Sequence, residues 1–211
     1  DLRVDDSVLR RELLGKVDTV LQHGRFIEGP EQKELERRIA EIVGVKYAVG
    51  VGSGSSALYL ALKAIGIGKG DEVITTPFTW IITAHAIVST GARPVFVDVQ
   101  RDYNIDPVNV ERAITKRTKA ILPVHIGGHM CDMKRLTRIA HRYKLKIVED
   151  AAQAFCASLK GQRAGSFSTV ASFSMNPMKV LHAYGETGAV TTNNKSIEQA
   201  IQSLRHAGTK R

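Results

Sequence analysis

From Tyr47 onward, short apolar runs alternate with segments of helical spacing, and this alternation limits the possible folds more than any other feature of the chain. The runs are YAVGV (47–51), EVITT (72–76), PVFVDV (94–99), KAILPV (119–124), KIVED (146–150), TVASFS (169–174) and GAVTTN (188–193). Between them the pattern predicts a helix from Ser56 to Ile65 stopped by Gly66, and another through Trp80, Ile82 and Ala86 to Val88. A third is opened by Asp106-Pro107, a fourth runs from Asp132 to Tyr143, and a fifth begins near Ser196. Strands that are apolar on both sides and separated by helices belong to sheets covered on both faces. The expected fold is therefore α/β: a mostly parallel sheet of about seven strands with helices on both faces.

Ahead of this pattern, Ser7 is expected to cap a helix carrying Val8, Leu9, Leu13, Val17, Val20 and Leu21, ended by Gly24. Pro30 suits the first position of a second helix, which Gly44 stops. Residues 1–45 thus read as a helical arm and residues 46–211 as one α/β domain. RHAGTKR breaks off just after a helix, so a further packing element is expected to follow.

Composition removes several function classes. No apolar run approaches the roughly 20 residues that span a bilayer, and the charged start DLRVDD is no secretory signal. Cys131 and Cys156 lack metal-ligand spacing, so no metal site is expected; they read as free thiols of a cytoplasmic protein. The net charge of +9 raises the question of nucleic acid, but the basic residues are scattered and aromatics are only 6%. No nucleic-acid motif accompanies them. An anionic substrate remains compatible.

In open α/β sheets, ligands bind beyond the carboxyl ends of the strands. The first such turn, GVGSGSS (50–56), combines glycines with a helix start, which suits a phosphate; Ser55 and Ser56 add hydroxyls. A dinucleotide fingerprint would need glycine where Ser55 stands and an acid closing the next strand, which instead ends in Thr75-Thr76. A ligand-free turn of small residues accounts for the same stretch. Trp80 follows the second strand, either as core packing or as a face on which a flat ring stacks. Asp150 ends the fifth strand, where a buried acid needs a partner. A protonated ring nitrogen of a pyridoxal-type cofactor would be one, with Gln153 reaching an adjacent ring oxygen. A helix cap and a surface amide are the plainer readings of these two. Lys179 lies between Ser174 and AYGETGA; a lysine in a semi-buried cleft suits Schiff-base chemistry.

Together GRFIEGPEQKELE, GVKYAVGVGSGSSALYLAL, GDEVITTPFTW, GARPVFVDV, RTKAILPVHIGG, IVEDAAQAF and FSMNPMKVLHAYGETGA cover nearly the whole chain. They resemble the DegT/DnrJ/EryC1/StrS family of pyridoxal-phosphate-dependent sugar aminotransferases, which have the aspartate-aminotransferase type fold. The resemblance implies that Lys179 binds the cofactor covalently and shuttles a proton. It implies further that Asp150 holds the ring nitrogen protonated, Gln153 bonds the ring O3′ and Trp80 stacks on the ring. Gly54, Ser55 and Ser174 would bind the phosphate. It also implies glutamate as amino donor, a nucleotide-linked keto-sugar as acceptor, and a homodimer with shared sites. A small C-terminal domain, absent from these 211 residues, is expected from the same resemblance.

The chain departs from the family pattern in places. GSGSS replaces the commoner NGTDA and keeps a glycine and a hydroxyl. Val180 and His182 stand where Asn and Gly are usual, which points to altered substrate contacts. Sugar dehydratases of the family carry His in place of the lysine, so Lys179 argues against that branch. Two other readings remain: a cofactor-binding paralogue without transferase activity, truncated or regulatory, and a nucleotide-binding domain using the glycine turn alone.

Overall fold

The computed structural model describes residues 3–209. Helix α1 (Ser7–His23) is capped by Asp6, not Ser7: the Asp6 Oδ1 accepts the N–H groups of Val8 and Leu9 at 2.8 and 3.0 Å. An aspartate one residue upstream reaches the open first-turn donors better than a residue already inside the helix. Helix α2 (Pro30–Val43) starts on its proline and ends at Gly44, whose φ of 79° is accessible to glycine at little cost. Ile39 and Val43 of α2 are buried in the core, whereas α1 contributes no buried residue.

The remaining elements run β1 (Tyr47–Val51), α3 (Gly54–Ala64), β2 (Glu72–Thr75), α4 (Ile81–Ser89), β3 (Arg93–Phe96), α5 (Pro107–Arg112) and β4 (Thr118–Ile121). Then follow α6 (Met133–Tyr143), β5 (Lys146–Asp150), β6 (Ser158–Leu159), β7 (Gln162–Arg163), β8 (Val170–Ser174), β9 (Gly188–Thr192) and α7 (Lys195–Leu204). Seven strands form one sheet in the order β1-β9-β8-β5-β4-β2-β3. Only β9 runs against its neighbours, pairing antiparallel with both β1 and β8. The other pairings are parallel, as the apolar runs predict.

Successive strand residues feed opposite faces, which is why the runs are continuously apolar. Ile74, Ile121, Ile147 and Ala189 join one core with α2, α5 and α6. Their neighbours Val73, Ala120, Leu122, Val148 and Val190 join the other, beneath α3, α4 and α7.

Several boundaries move from their sequence-based positions. Helix α3 begins at Gly54, two residues before Ser56, because Ser53 caps it by accepting the Ser56 N–H at 3.0 Å. Helix α4 begins after Trp80, which is its cap residue. β3 is paired only over Arg93–Phe96, not to 99. β4 ends at Ile121 instead of 124, since Pro123 has no N–H to give to the ladder. The β6–β7 hairpin was not foreseen; its turn residues Lys160 and Gly161 both have positive φ.

Candidate active site

The carboxyl ends of β1, β8 and β5 lie on one edge of the sheet, and the reversed β9 starts there. Register places Gly188 opposite both Val51 and Ser174. The turn Gly52-Ser53-Gly54 folds across Gly188 so closely that a Cβ there would collide with the Ser53 carbonyl. It ends with Gly54 against Ser174: a Cβ on Gly54 would stand 2.5 Å from the Ser174 Cβ and 2.8 Å from its Oγ. The N-terminus of α3 therefore packs directly against the Ser174 side chain. By helix geometry, the N–H groups of Gly54 and Ser55 have no partner within α3 and carry the positive end of its dipole. Ser55 is exposed. The Ser56 hydroxyl, expected as a donor, is instead 3.0 Å from the Ser53 Oγ within the cap.

Asp150 is 5% exposed at the end of β5. Its Oδ1 accepts the Ala152 N–H at 3.2 Å, and its Oδ2 accepts the hydroxyl of Thr83 on α4 at 3.1 Å. No ion-pair partner stands against it among the described residues. Burial pushes its carboxyl pKa up; the Ala152 N–H, the Thr83 hydroxyl and the Lys179 charge are among the effects that oppose that rise. Its neighbour Glu149 is satisfied differently. Fully buried, Glu149 accepts from His125 Nε2 (3.0 Å) and from the N–H groups of Gly165 and Phe167. His125 Nδ1 in turn accepts the Cys131 N–H. Of the two adjacent acids, one is locked into the scaffold and the other is left facing the edge.

Gln153 lies just beyond. Its Oε1 accepts the Gly127 N–H at 2.8 Å, so its Nε2 is the end free to donate outward. Trp80 is 73% exposed, which removes core packing as its role. Its carbonyl accepts the Thr83 N–H, so the indole stands one helical turn from the hydroxyl that meets Asp150.

Lys179 is half-buried on the loop joining β8 to β9. That loop is closed on itself: Met175 N–H donates to the Thr187 carbonyl, Ala183 N–H to that of Met175, and Lys179 N–H to that of Asn176. The Asn176 side chain accepts the Met178 N–H and donates to Glu186. Its outer side borders a cleft of about 610 Å³ lined by Asp6, Leu9, Pro177, His182 and Tyr184 among others. Both cysteines are unbridged, and Cys131 is inert: burial pushes its thiol up to about 12.

Sequence reasoning missed Ser53, Thr83 and Asn176. The cap of α3 was readable from Ser53 three residues before Ser56, whereas nothing local marks Thr83 as a partner of Asp150.

The sequence model of the DegT/DnrJ/EryC1/StrS aminotransferase family matches residues 8–211. This chain belongs to that family. DegT/DnrJ/EryC1/StrS relatives include the UDP-2-acetamido-2-deoxy-3-oxo-D-glucuronate aminotransferase of Pseudomonas aeruginosa, 43% identical over all of this chain and 59% of its own length. Another is the pleiotropic regulatory protein of Geobacillus stearothermophilus, 44% identical over all of this chain and 57% of its own. Among solved structures, DesV of S. venezuelae in complex with a ketimine intermediate superposes with a TM-score of 0.97 at 44% identity. That match covers all of this chain and 57% of DesV. The chain thus spans somewhat over half the length of the DegT/DnrJ/EryC1/StrS relatives it matches.

Proposed function

We propose that the protein is a pyridoxal-phosphate-dependent aminotransferase that moves an amino group from glutamate to a keto group on a nucleotide-linked sugar, for amino-sugar biosynthesis. The observation that carries this reading is Asp150: a buried carboxylate with two neutral donors, no ion-pair partner among the described residues, and Lys179 as a nearby cation. Such a group is costly unless a cation meets it, and a protonated pyridine nitrogen is a fitting one. Exposed Ser55, the Ser174 hydroxyl packed against Gly54 and the open first-turn N–H groups of α3 offer donors suited to a phosphate. The residues present fit pyridoxal phosphate on both counts.

When bound, this cofactor supplies an aldehyde that exchanges amines and a ring that withdraws electrons from the bond being broken. In this reading Lys179 Nζ would hold the cofactor's aldehyde carbon and would serve as the group that carries a proton. Asp150 would hold the proton of the ring nitrogen through charge. Gln153 Nε2 donates to the ring oxygen, oriented by the Gly127 N–H on its other end. Trp80 covers a ring face and keeps water away. Ser55, Ser174 and the first-turn N–H groups of α3 bind the phosphate. The acceptor class follows that of the Pseudomonas relative, a UDP-2-acetamido-2-deoxy-3-oxo-D-glucuronate aminotransferase. A homodimer and a cytoplasmic setting complete the proposal; exposed Phe78 and Ile81, on either side of the Thr79-Trp80 pair, suit cover by a second copy.

A second reading has one specific support: a relative at 44% identity is named as a regulatory protein. In that case the cofactor site would be kept without transfer. The full-length protein mixed with pyridoxal phosphate distinguishes them. The expected result is a visible absorbance band that borohydride fixes covalently and that Lys179→Ala abolishes. A band absent from the wild type, or surviving the substitution, overturns the lysine assignment. Glutamate should bleach the band; an unresponsive band favours the regulatory reading.

A further inference from the structure

We propose that Thr83, itself oriented by Thr79, is a positioning residue that aims and polarises the Asp150 carboxylate toward the cleft. This rests on the aminotransferase reading for its consequence, but its evidence is the geometry of α4 and β5.

Threonine inside a helix ordinarily returns its hydroxyl to a carbonyl three or four residues back. Thr83 does not: its Oγ1 is 3.1 Å from Asp150 Oδ2, which lies 67 residues away in the chain, and 3.0 Å from Thr79 Oγ1. A hydroxyl has one proton and two lone pairs. Because an ionised carboxylate only accepts, Thr83 gives its proton to Asp150 and accepts the proton of Thr79. The result is a directed chain, Thr79 to Thr83 to Asp150, in which each bond strengthens the next. Thr83 is 1% exposed, so bulk water does not compete for Oδ2.

The second carboxylate oxygen is held by the Ala152 N–H. Two donors, one from helix α4 and one from the turn just after β5, therefore fix the rotation of the carboxylate and leave it lone pairs with which to accept from a ligand. The titratable groups that bear on it are His125, beyond β4, and Lys179, on the β8–β9 loop. Among the donors, the Thr83 hydroxyl is the one side-chain group that substitution can remove while keeping the shape of the helix. Without it, burial acts less opposed and Asp150 holds its proton to higher pH. A neutral carboxyl gives a ring nitrogen no countercharge.

The test uses the full-length protein as wild type, Thr83→Val (same shape, no hydroxyl), Thr83→Ser (hydroxyl kept) and Thr79→Ala, each checked for folding by circular dichroism. In the cofactor-free protein, carbon-13 NMR of labelled aspartate follows the Asp150 titration, with Asp150→Asn assigning the signal. Thr83→Val is expected to raise the midpoint by about one pH unit, the scale of one hydrogen bond to a charged group. Thr83→Ser should restore it, and Thr79→Ala should raise it by less. Pyridoxal phosphate should bind Thr83→Val about tenfold more weakly, with no further loss from Thr83→Val in an Asp150→Asn background. An unchanged midpoint in Thr83→Val overturns the proposal, as does an affinity loss that persists undiminished without Asp150. Should Thr83→Val fail to fold, Thr79→Ala decides by the same midpoint. A wild type that binds no pyridoxal phosphate sinks the aminotransferase reading, while the midpoint still judges Thr83.

Discussion

Asp150 is held buried at the expense of the ligand-free fold. Its carboxyl pKa is raised in the folded chain, chiefly by burial. For an acid this means that stability declines as pH rises through the ordinary carboxylate range toward the folded value, since the unfolded chain gives up its proton first. Asp150→Asn should therefore raise the thermal midpoint of the cofactor-free protein at pH 7, and the gain should vanish in acid. Equal midpoints at pH 7 would show that the carboxylate carries no such strain. At this scale the sequence was informative where one stretch holds several cues: the lysine segment joins Ser174, Lys179 and a glycine-rich return within a few residues. Thr83 was unreadable because its partner comes from tertiary structure, and a threonine after TPFTW looks like any helix residue.

At the scale of elements, the continuous apolar runs were legible because each strand feeds two cores. The short β6–β7 hairpin was not, since two-residue strands show no periodicity. Nor did the sequence reveal what anchors the far edge of the sheet. There Glu72, buried at the start of β2, accepts from Arg93 on β3, from Arg117 and from the Thr115 hydroxyl. The threonine and the two guanidinium groups hold its carboxyl down to about 2. A depressed acid contributes stability above its unfolded value, near 4.5, and that contribution is lost as pH falls through about 2. Glu72→Gln should thus be less stable than wild type at pH 7, with the gap closing progressively below about pH 4.5. Urea titrations across that range would measure it; a gap independent of pH would mean that packing, not charge, is responsible.

Over the whole molecule, one arginine ties the last helix back to α2 and β1. Arg205, after α7, donates to Glu36 of α2, to Glu28 before it and to the Gly50 carbonyl of β1. Glu28 also meets His206, and Glu36 accepts the Gly50 N–H. Arg205→Ala should lower the urea midpoint while leaving the slope unchanged, because the same surface is exposed on unfolding. A changed slope would reveal that α2 detaches separately. No local pattern predicted this knot, which joins residues more than 150 positions apart. The reversal of β9 has a different kind of consequence. Residues 175–187 leave the sheet at Ser174 and re-enter it at Gly188, two residues paired with each other. A segment whose ends are fixed side by side behaves as a cassette. Its exposed positions can vary around Lys179 without shifting strand register, so long as Met175, Leu181 and Ala183, which pack on the core, are kept.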